Sequence, residues 1–514
     1  WTESNHLNRT ERHTPEIQRA DLAEIVLLLH SLGIQKAAEF DWLDKPDPLA
    51  VERAEKLLQF LGAIGAESVE PDEKQRLDLT EIGRKMLRLP MHPRYSRMLV
   101  EAARFGCVKE ASLCAALVSG RDLLLRLSRD EKHISTAREE FEVSDQSDFF
   151  ALMEAFKFAQ ANGFGVEACR RRGVHAMSAQ QVAMTWKQIY EIAGHLPREG
   201  AAACSMESLQ RCLLTGFVDQ LCLRKDQGTL DCILTEGRTG TLMRESVVQK
   251  APLLVVASMR EVSGKQGNLT LLGLATAVRL EWLKESFPQH FSEQVEHVFD
   301  RTHKRVAAIR LVRFRDLIVA KEFQRELEAK ASGLALAQAY VEGLFELPLL
   351  THDLKQFMAR VNLVAQAAPE LDFPAFDQPA LKIALGSAFQ GMSLVKEAQG
   401  ADLRPALLAH LAPEQRGWLD ELTPQSLAWP GEKKLKLLYV EGTNEPELQV
   451  KLHECFDAKE HPLICEGKIP VKVWLCSPEG KRLQNTVDWP AFKTKEFPKI
   501  KAALQKKYPG FNWR

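Results

Sequence analysis

The feature that most constrains the fold of this chain is a change in the spacing of its apolar residues near residue 209. Before that point the spacing is helical, as at Leu22, Ile25 and Leu29, which recur every three or four residues. After it come short strand-like runs, first Leu221–Arg224 and then Leu230–Leu234. Several short strands at such intervals indicate a small barrel or sandwich. A chain of 514 residues also exceeds what one hydrophobic core serves, so we expect about three to five domains.

The N-terminal region predicts two helices followed by a small β element. The first helix is expected to begin at Thr14-Pro15, because threonine caps helices and proline suits the first helical position. Asp47-Pro48 repeats this start signal, and the alternating run Leu77-Asp78-Leu79 is typical of a short strand. Together these elements suggest a winged-helix unit. From Thr80 to about Leu196 the spacing is helical throughout, which predicts a helical bundle.

The rest of the chain alternates between strand and helix patterns. Strand-like runs at Leu253–Met259 and Leu269–Leu272 complete a β unit of roughly 80 residues, a size that fits the five-stranded OB barrel. Barrels of this kind commonly bind single-stranded nucleic acid. Residues 322–426 have mainly helical spacing, and Phe497–Lys507 predicts a last helix. We therefore expect a mixed α/β region at the C-terminal end.

Composition and charge exclude several classes of protein. The formal net charge is −1, so no global field attracts nucleic acid, and any polyanion site must be a local patch. Ten scattered cysteines without a CxxC pair argue against a disulfide framework and against a zinc site. No apolar run approaches the roughly 20 residues that span a bilayer. We expect a cytoplasmic protein with no membrane partner.

One segment carries a specific family signature. Residues 79–94 contain a Leu-Thr pair at Leu79-Thr80, then Gly83, then Leu89-Pro90 and Pro93-Arg94. This arrangement resembles the junction of the winged-helix and ratchet domains in ATP-dependent RNA helicases of the DEAH/RHA class. The segment Ser144–Asp148 is similar to the ratchet segment that follows in that family.

Other segments extend the resemblance over nearly the whole chain. Leu213–Asp219 looks like the first strand of the family's OB domain. Val450–Phe456 and Ser477–Gly480 resemble the terminal domain of the bacterial HrpB type. The opening Trp1-Thr2-Glu3 looks like the exit from a second RecA-like domain, so the chain is expected to begin inside a longer protein.

The resemblance implies a multidomain fold that is mainly α with β. It consists of a winged helix, a helical ratchet bundle, an OB-like β-barrel and a mixed α/β C-terminal domain. The expected boundaries are 1–13 for the tail of the second RecA-like domain, 14–79 for the winged helix, 80–203 for the ratchet, 204–291 for the OB-like domain and 292–514 for the HrpB-type C-terminal domain.

The motifs of ATP hydrolysis are missing from the sequence. Phosphoryl transfer in such enzymes needs a P-loop lysine and an acidic residue that holds Mg²⁺. Neither the pattern GxxxxGK[ST] nor an Asp-Glu-Ala-His run occurs. We expect this chain to bind no cofactor and to be inactive alone, with ATP and Mg²⁺ bound by upstream RecA-like ATPase domains of the same protein. The expected role is the RNA-binding, strand-ratcheting accessory half of a helicase. The alternative is a free-standing RNA-binding or adaptor protein.

Candidate contacts to single-stranded RNA are the arginines and lysines of the bundle and the barrel. Taken singly, each of them is also explained as a solvated surface charge. The candidates in the bundle are Arg94, Arg97, Arg170, Arg171 and Arg172; those in the barrel are Arg211, Arg224, Lys225, Arg238, Arg244 and Arg260.

The last 49 residues of the chain are basic and rich in aromatic residues. From residue 466 to 514 there are eleven lysines and arginines against four acidic residues, interleaved with aromatic residues. We expect most of these rings in a core and the charges in contact with RNA or the ribosome.

Gly216, in the predicted strand Leu213–Val218, is expected at a barrel corner, with a backbone path for RNA as the alternative. Both interpretations forbid a bulky side chain there.

Overall fold

A computed structural model describes most of the chain as two compact units. Unit 1 comprises Trp1–Glu293 with Val312–Ala320, and unit 2 comprises Gln294–Leu311 with Lys321–Arg514. The described residues are 15–34, 36–66, 77–125, 132–196, 203–264, 267–440, 442–443 and 445–513.

Unit 1 begins with helices and continues into strands. Its helices are α1 (Ala23–Ser31), α2 (Pro48–Phe60), α3 (Glu81–Met86), α4 (Pro93–Phe105), α5 (Val108–Ser119), α6 (Lys132–Glu139), α7 (Asp148–Ala161), α8 (Val166–Arg171), α9 (Ala176–Ala193), α10 (Met206–Gly216) and α11 (Leu280–Ser286). Its strands are β1 (Ile64–Ala66), β2 (Leu77–Leu79), β3 (Leu221–Arg224), β4 (Asp231–Leu234), β5 (Thr239–Leu242), β6 (Leu253–Gly264) and β7 (Gly267–Ala277).

The first part of unit 1 follows its sequence signals closely. Asp47 caps α2 by accepting a hydrogen bond from the Leu49 amide at 3.0 Å. β1 and β2 pair antiparallel, with Ile64 opposite Leu79. The Thr80 hydroxyl then caps α3, accepting from the Gly83 amide, and also donates to the Gly62 carbonyl at 2.6 Å. The predicted pair of helices with a small β element is therefore confirmed, except that the chain at residues 16–18 forms only a short helical turn before α1.

The segment Leu213–Val218 corrects one expectation. It was predicted as the first barrel strand, but it forms the end of α10 and the turn that follows. Gly216 lies where α10 crosses α4: a Cβ built on it would meet the Arg94 carbonyl oxygen at 2.8 Å and the Met98 Cβ at 2.9 Å. Gly216 therefore lies at the contact between α10 and α4, and the prediction that it forms a barrel corner was wrong.

The strands that follow form a closed five-stranded barrel in the order β3-β4-β5-β7-β6. Every neighbouring pair is antiparallel except β5 and β7, which run parallel with Leu242 opposite Leu272. Its interior is apolar and fully enclosed, as shown by the buried Leu234, Leu254 and Val256. The predicted β unit is confirmed as a barrel.

The strands that follow are β8 (Phe291–Asp300), β9 (Arg305–Phe314) and β10 (Leu317–Gln324), in the sheet order β10-β9-β8, and their residues are divided between units 1 and 2. The rest of unit 2 is also mixed, with helices first and a sheet later. The helices are α12 (Ala329–Val341), α13 (His352–Ala367), α14 (Gln378–Ala388), α15 (Val395–Gln399), α16 (Arg404–Leu408), α17 (Pro413–Leu422), α18 (Trp489–Ala491) and α19 (Phe497–Lys507). The remaining strands are β11 (Ser426–Ala428), β12 (Lys434–Leu438), β13 (Glu447–Lys451), β14 (Leu463–Ile464), β15 (Ile469–Pro470), β16 (Lys472–Cys476) and β17 (Arg482–Thr486).

The C-terminal sheet of unit 2 has five strands in the order β11-β12-β13-β16-β17. Only β13 and β16 run parallel, with Leu448 opposite Val473 and Val450 opposite Leu475. These four side chains are buried beneath the sheet. Trp489 is fully buried in the same core and donates its indole N–H to the Ala458 carbonyl at 3.0 Å.

Most aromatic rings of the basic C-terminal segment lie in this core, as expected. Phe492, Phe497, Tyr508 and Trp513 are all less than a tenth exposed. Within the described ranges, no helix combines the length and the apolar character that a bilayer crossing would require.

Candidate nucleic-acid interface

An open cavity of about 440 Å³ lies in unit 1 where the bundle meets the barrel. It lies between the end of α5, the start of α9 and strand β6. The lining residues are Gly120, Arg121, Asp122, Leu124, Leu125, His175, Ser178 and Arg260. Three separate stretches of sequence thus form one recess with both charged and apolar side chains in its lining.

The walls of the cavity are held by backbone hydrogen bonds. The His175 amide donates to the Leu123 carbonyl at 2.8 Å, and the Leu125 amide donates to the Gly173 carbonyl at 2.8 Å. The guanidinium of Arg138 bridges the same two segments, donating to the carbonyls of Leu125 at 2.6 Å and Gly173 at 2.9 Å. This short ladder fixes the α5–α6 connection against the start of α9.

The cavity can hold an anionic group. The Nδ1 atom of His175 accepts from the Ser178 amide at 3.1 Å and so caps the 18-residue helix α9, whose N-terminal dipole favours negative charge. Arg121 is exposed at the rim. Arg260 reaches across from β6 to Asp122 at 2.9 Å, with both side chains about half exposed. Guanidinium groups and a helix N-terminus are the groups that bind phosphate oxygens in proteins.

A buried carboxylate fixes the barrel beside the bundle. Asp148, at the start of α7, accepts hydrogen bonds from the Ser246 hydroxyl at 2.9 Å, the Val247 amide at 2.8 Å and the Ala275 amide at 2.7 Å. Burial raises the pKa of Asp148, and these hydrogen bonds oppose the rise. The neighbouring Ser147 hydroxyl lies 2.8 Å from that of Thr276 on β7. The segment that resembled a ratchet motif is thus the joint between α7 and the barrel.

Most of the exposed candidates lie away from the cavity. Arg260 is the one sequence-predicted residue that lines it. Arg238 is exposed, but its guanidinium donates to the backbone carbonyls of Asp219 at 3.0 Å and Thr235 at 3.2 Å. The other candidates that are exposed to solvent are Arg170, Arg171, Lys225 and Arg244.

Two candidates are buried, which the sequence reasoning did not anticipate. Arg97 is 3% exposed and donates to the Leu61 carbonyl at 3.1 Å and to the Glu101 carboxylate at 2.9 Å. Arg224 is 8% exposed and donates to the backbone carbonyls of Val248 and Gln249. Neither guanidinium can reach a nucleic acid in this conformation, because protein groups surround it.

Besides the exposed Arg171, which pairs with Glu167, and Arg260, which pairs with Asp122, three partly covered candidates are engaged in ion pairs within unit 1. Arg94 holds the carboxylate of Asp219 through two hydrogen bonds, one of them at 3.2 Å from Nε, and so links α4 to the turn before β3. Arg172 pairs with Glu140. Arg211 pairs with Glu285 and lies near two aromatic rings. In these positions the arginines join elements of the fold.

Sequence reasoning missed Arg121 and Ser178. It did single out His175, beside the basic run Arg170–Arg172, either as a phosphate contact or as a helix cap, and the structure shows that it caps α9. Arg121 stands alone after a helix end, and no local pattern connects it with Arg260, which is 139 positions later in the chain. The one available signal was His175 two residues after Gly173, a turn glycine followed by a polar helix cap.

Three family models match the chain. The winged-helix model of the helicase-associated domain HA2 matches residues 54–91, and its ratchet-like model matches residues 92–152. The model HrpB_C, described as ATP-dependent helicase C-terminal, matches residues 384–514. These matches confirm the predicted winged-helix and ratchet parts and the relation of the C-terminal part to HrpB.

The relatives found by sequence are helicases. The chain is 24% identical over 509 residues to the ATP-dependent RNA helicase HrpB of Escherichia coli, which covers 97% of this chain and 55% of that protein. It is 24% identical over 296 residues to the ATP-dependent RNA helicase DHX33 of Mus musculus, covering 57% of this chain and 41% of that protein. A crystal structure of the E. coli DExH-box NTPase HrpB aligns with a TM-score of 0.44 and 21% identity, over 100% of this chain and 57% of that chain.

The chain spans about half the length of these two curated relatives. The alignment with HrpB covers 97% of this chain and so includes both HA2 segments and the C-terminal segment. The chain therefore carries helicase-associated HA2 domains and an HrpB_C domain, and it is homologous to DEAH helicases such as HrpB.

Proposed function

We propose that this chain is the RNA-binding, strand-ratcheting accessory part of an ATP-dependent RNA helicase. The observation that carries the proposal is the cavity lined by Arg121, His175 and Arg260, at the junction of the ratchet bundle and the barrel. A single RNA strand presents one phosphate per nucleotide, and cationic side chains beside a helix N-terminus suit that backbone.

The topology of the barrel supports the same proposal. Its order, with the third and fifth strands parallel and the other pairs antiparallel, agrees with an OB-like five-stranded barrel. Barrels of that kind bind oligonucleotides on the face of their second and third strands and on the loops after strands one and four. Here those strands are β4 and β5, and exposed Lys225 lies in the loop after β3. Arg238 and Arg244 flank β5.

The motor of such a helicase would be a separate part of the protein. We infer that upstream RecA-like domains bind ATP and Mg²⁺ and that this chain contributes the grip on single-stranded RNA. The proposed protein acts in the cytoplasm. Nucleotide hydrolysis would then be coupled to movement of the strand past α9 and the barrel.

The test is RNA binding by the full chain at low salt. In Arg121→Glu/Arg260→Glu, affinity for a fluorescent single-stranded RNA should fall roughly fivefold or more, and the slope of log K against log salt should decrease by about 1.4, since each phosphate contact contributes about 0.7. The matched control is Arg53→Glu/Arg84→Glu, two exposed arginines on α2 and α3 with the same change in charge.

Both variants must melt at the wild-type temperature for the comparison to apply. Equal losses in the two variants would indicate a general charge effect and would refute a site at the cavity. Absence of RNA binding by the wild-type chain at low salt would refute the proposed function as a whole.

A further inference from the structure

The C-terminal sheet of unit 2 has one buried face and one open face. Leu437, Leu448, Val450, Val473 and Leu475 point into the core. The side chains between them in sequence point the other way because neighbouring residues of a strand alternate between faces. The outward set is Ser426, Ala428, Lys434, Lys436, Leu438, Glu447, Gln449, Lys451, Lys472, Trp474, Asn485 and Cys476, the last of which is buried, and we call this the open sheet face.

The register brings these residues into rows across the sheet. Ser426 stands opposite Lys436 and Ala428 opposite Lys434 on the first pair of strands. Farther across, Gln449 stands opposite Trp474. The side chains of Ser426 and Ala428 are small, so the lysines opposite them on β12 extend freely above the sheet. Strands lie about 4.8 Å apart and alternate residues about 6.7 Å apart along a strand, which spaces the side chains evenly.

The open sheet face is strongly basic. Lys434, Lys436 and Lys451 are exposed and form no ion pair within the described part of unit 2. Lys472 pairs with Glu445, at 3.1 Å. Four lysines thus stand on this face against one glutamate, Glu447, which is itself mostly covered.

Arg482 adds a fifth cation, placed over the aromatic residue of the face. Its Cζ lies 4.5 Å from the centroid of the Trp474 ring, and the Nζ of Lys472 lies 6.0 Å from that centroid. Arg482 is only loosely tied to Glu447, at 3.8 Å. Trp474 is half-buried, whereas the other tryptophans of the C-terminal segment are in the core. An indole at the surface between two cations is a stacking platform next to phosphate ligands.

We propose that the open sheet face binds single-stranded RNA, with Trp474 and Arg482 stacking on bases and Lys434, Lys436 and Lys451 binding phosphates. Five cations, against Glu447 and the Glu445 that pairs with Lys472, select a polyanion rather than an apolar partner. Bases can stack on a surface aromatic ring when they are not held in a double helix, as in a single strand. Stacking reads no base edge, so the site has little sequence preference. This site belongs to unit 2 and does not depend on the cavity proposed in unit 1.

The experiment compares two triple charge reversals in the full chain. The test variant is Lys434→Glu/Lys436→Glu/Lys451→Glu. The matched control is Lys330→Glu/Lys355→Glu/Lys396→Glu, three exposed lysines on α12, α13 and α15 of the same unit. Binding of a fluorescent oligouridylate is measured between 50 and 200 mM salt. Three lost phosphate contacts should lower the salt slope by about 2.1, which is a roughly 20-fold smaller loss of affinity across that range.

A second measurement locates the RNA directly. An oligonucleotide carrying 4-thiouridine is cross-linked to the wild-type chain, and the modified peptides are identified by mass spectrometry. We expect cross-links on the peptide that contains Trp474, and their loss in Trp474→Ala at unchanged melting temperature.

Three outcomes would overturn the proposal. One is an equal salt slope in the test and control variants. Another is cross-linking confined to peptides outside β12, β13, β16 and β17, for example to the lysines of α19. The third is that duplex RNA of the same length competes as well as the single strand, since paired bases cannot stack on Trp474. The two proposals can fail independently, because the cavity residues lie in unit 1 and the open sheet face lies in unit 2. Weaker RNA binding by the cavity variant does not change the salt slope expected for the sheet variant.

Discussion

Replacing Gly216 with valine tests whether α10 and α4 are in contact through their backbones. A Cβ at this position meets the Arg94 carbonyl oxygen at 2.8 Å and the Met98 Cβ at 2.9 Å, distances that real Cβ atoms avoid. The obstacle is a backbone oxygen and the first carbon of a side chain, neither of which can turn aside as the end of a long side chain can. The helices must therefore separate by several tenths of an ångström.

The expected cost follows from two opposing terms. Valine is favoured over glycine in a helix by roughly 0.4 kcal/mol, whereas forcing extra methyl groups into a packed contact costs about 1–3 kcal/mol. We expect a net loss of about 0.6–2.6 kcal/mol in the free energy of unfolding of unit 1. At roughly 2–4 °C per kcal/mol, the melting temperature of that unit should fall by about 1–10 °C.

The assay is scanning calorimetry of the full chain, with Gly417→Val as the matched control. Gly417 lies in the exposed middle of helix α17, where a Cβ meets nothing within 4 Å. That variant should melt at the wild-type temperature or slightly above it. Wild-type melting of Gly216→Val would refute the helix contact, and wild-type melting together with lost RNA binding would favour a backbone path for RNA at this position.

Two further predictions concern buried polar groups of unit 1. In Arg97→Met, the Leu61 carbonyl and one oxygen of the Glu101 carboxylate lose their donor, while Arg104 still pairs with Glu101. We expect the free energy of unfolding to fall by about 2–4 kcal/mol, measured by calorimetry, with unchanged RNA affinity. A fall of less than about 0.5 kcal/mol, which is the result expected for the exposed control Arg171→Met, would contradict the burial argument. For His290, burial and a neighbouring arginine lower the pKa from 6.5 to about 4, so the unfolded chain takes up the proton first and stability present above pH 6.5 is lost as the pH falls towards 4. His290→Phe should flatten that part of the curve of melting temperature against pH, and an unchanged curve would contradict it.

Local signals predicted much of the fold. The strands at Leu221–Arg224 and at 231–234 and the last helix at Phe497–Lys507 all lie where their apolar spacing indicated. Each of these elements is bounded by turn residues or by proline, so the spacing of the apolar residues and the turn signals at the ends indicated the same element. Sequence patterns of this kind depend on residues within one or two turns, which is why they succeeded.

The failures have one cause, which is long-range packing. Leu213–Val218 looks like a strand, since it is a short apolar run with a glycine, and its helical state depends on the contact with α4 more than a hundred residues earlier. Arg97 and Arg224 were treated as surface charges because arginine is rarely buried. Their acceptors are backbone carbonyls at Leu61 and Val248, and no charge pattern marks those positions. The cavity was missed for the same reason.

The joint at Asp148 restricts how the walls of the cavity can move apart. Three donors from two stretches of the barrel converge on the Asp148 carboxylate in the first turn of α7. If the helix slid along the barrel by less than the length of one hydrogen bond, this carboxylate would lose its partners, which is costly for a charge away from water. Helix α7 and the barrel are therefore obliged to travel as a single piece. On the opposite wall, the residues after α5 are held to the start of α9 by backbone hydrogen bonds and by Arg138. A strand that passes through the recess would therefore lie between two walls, each fixed by its own set of hydrogen bonds.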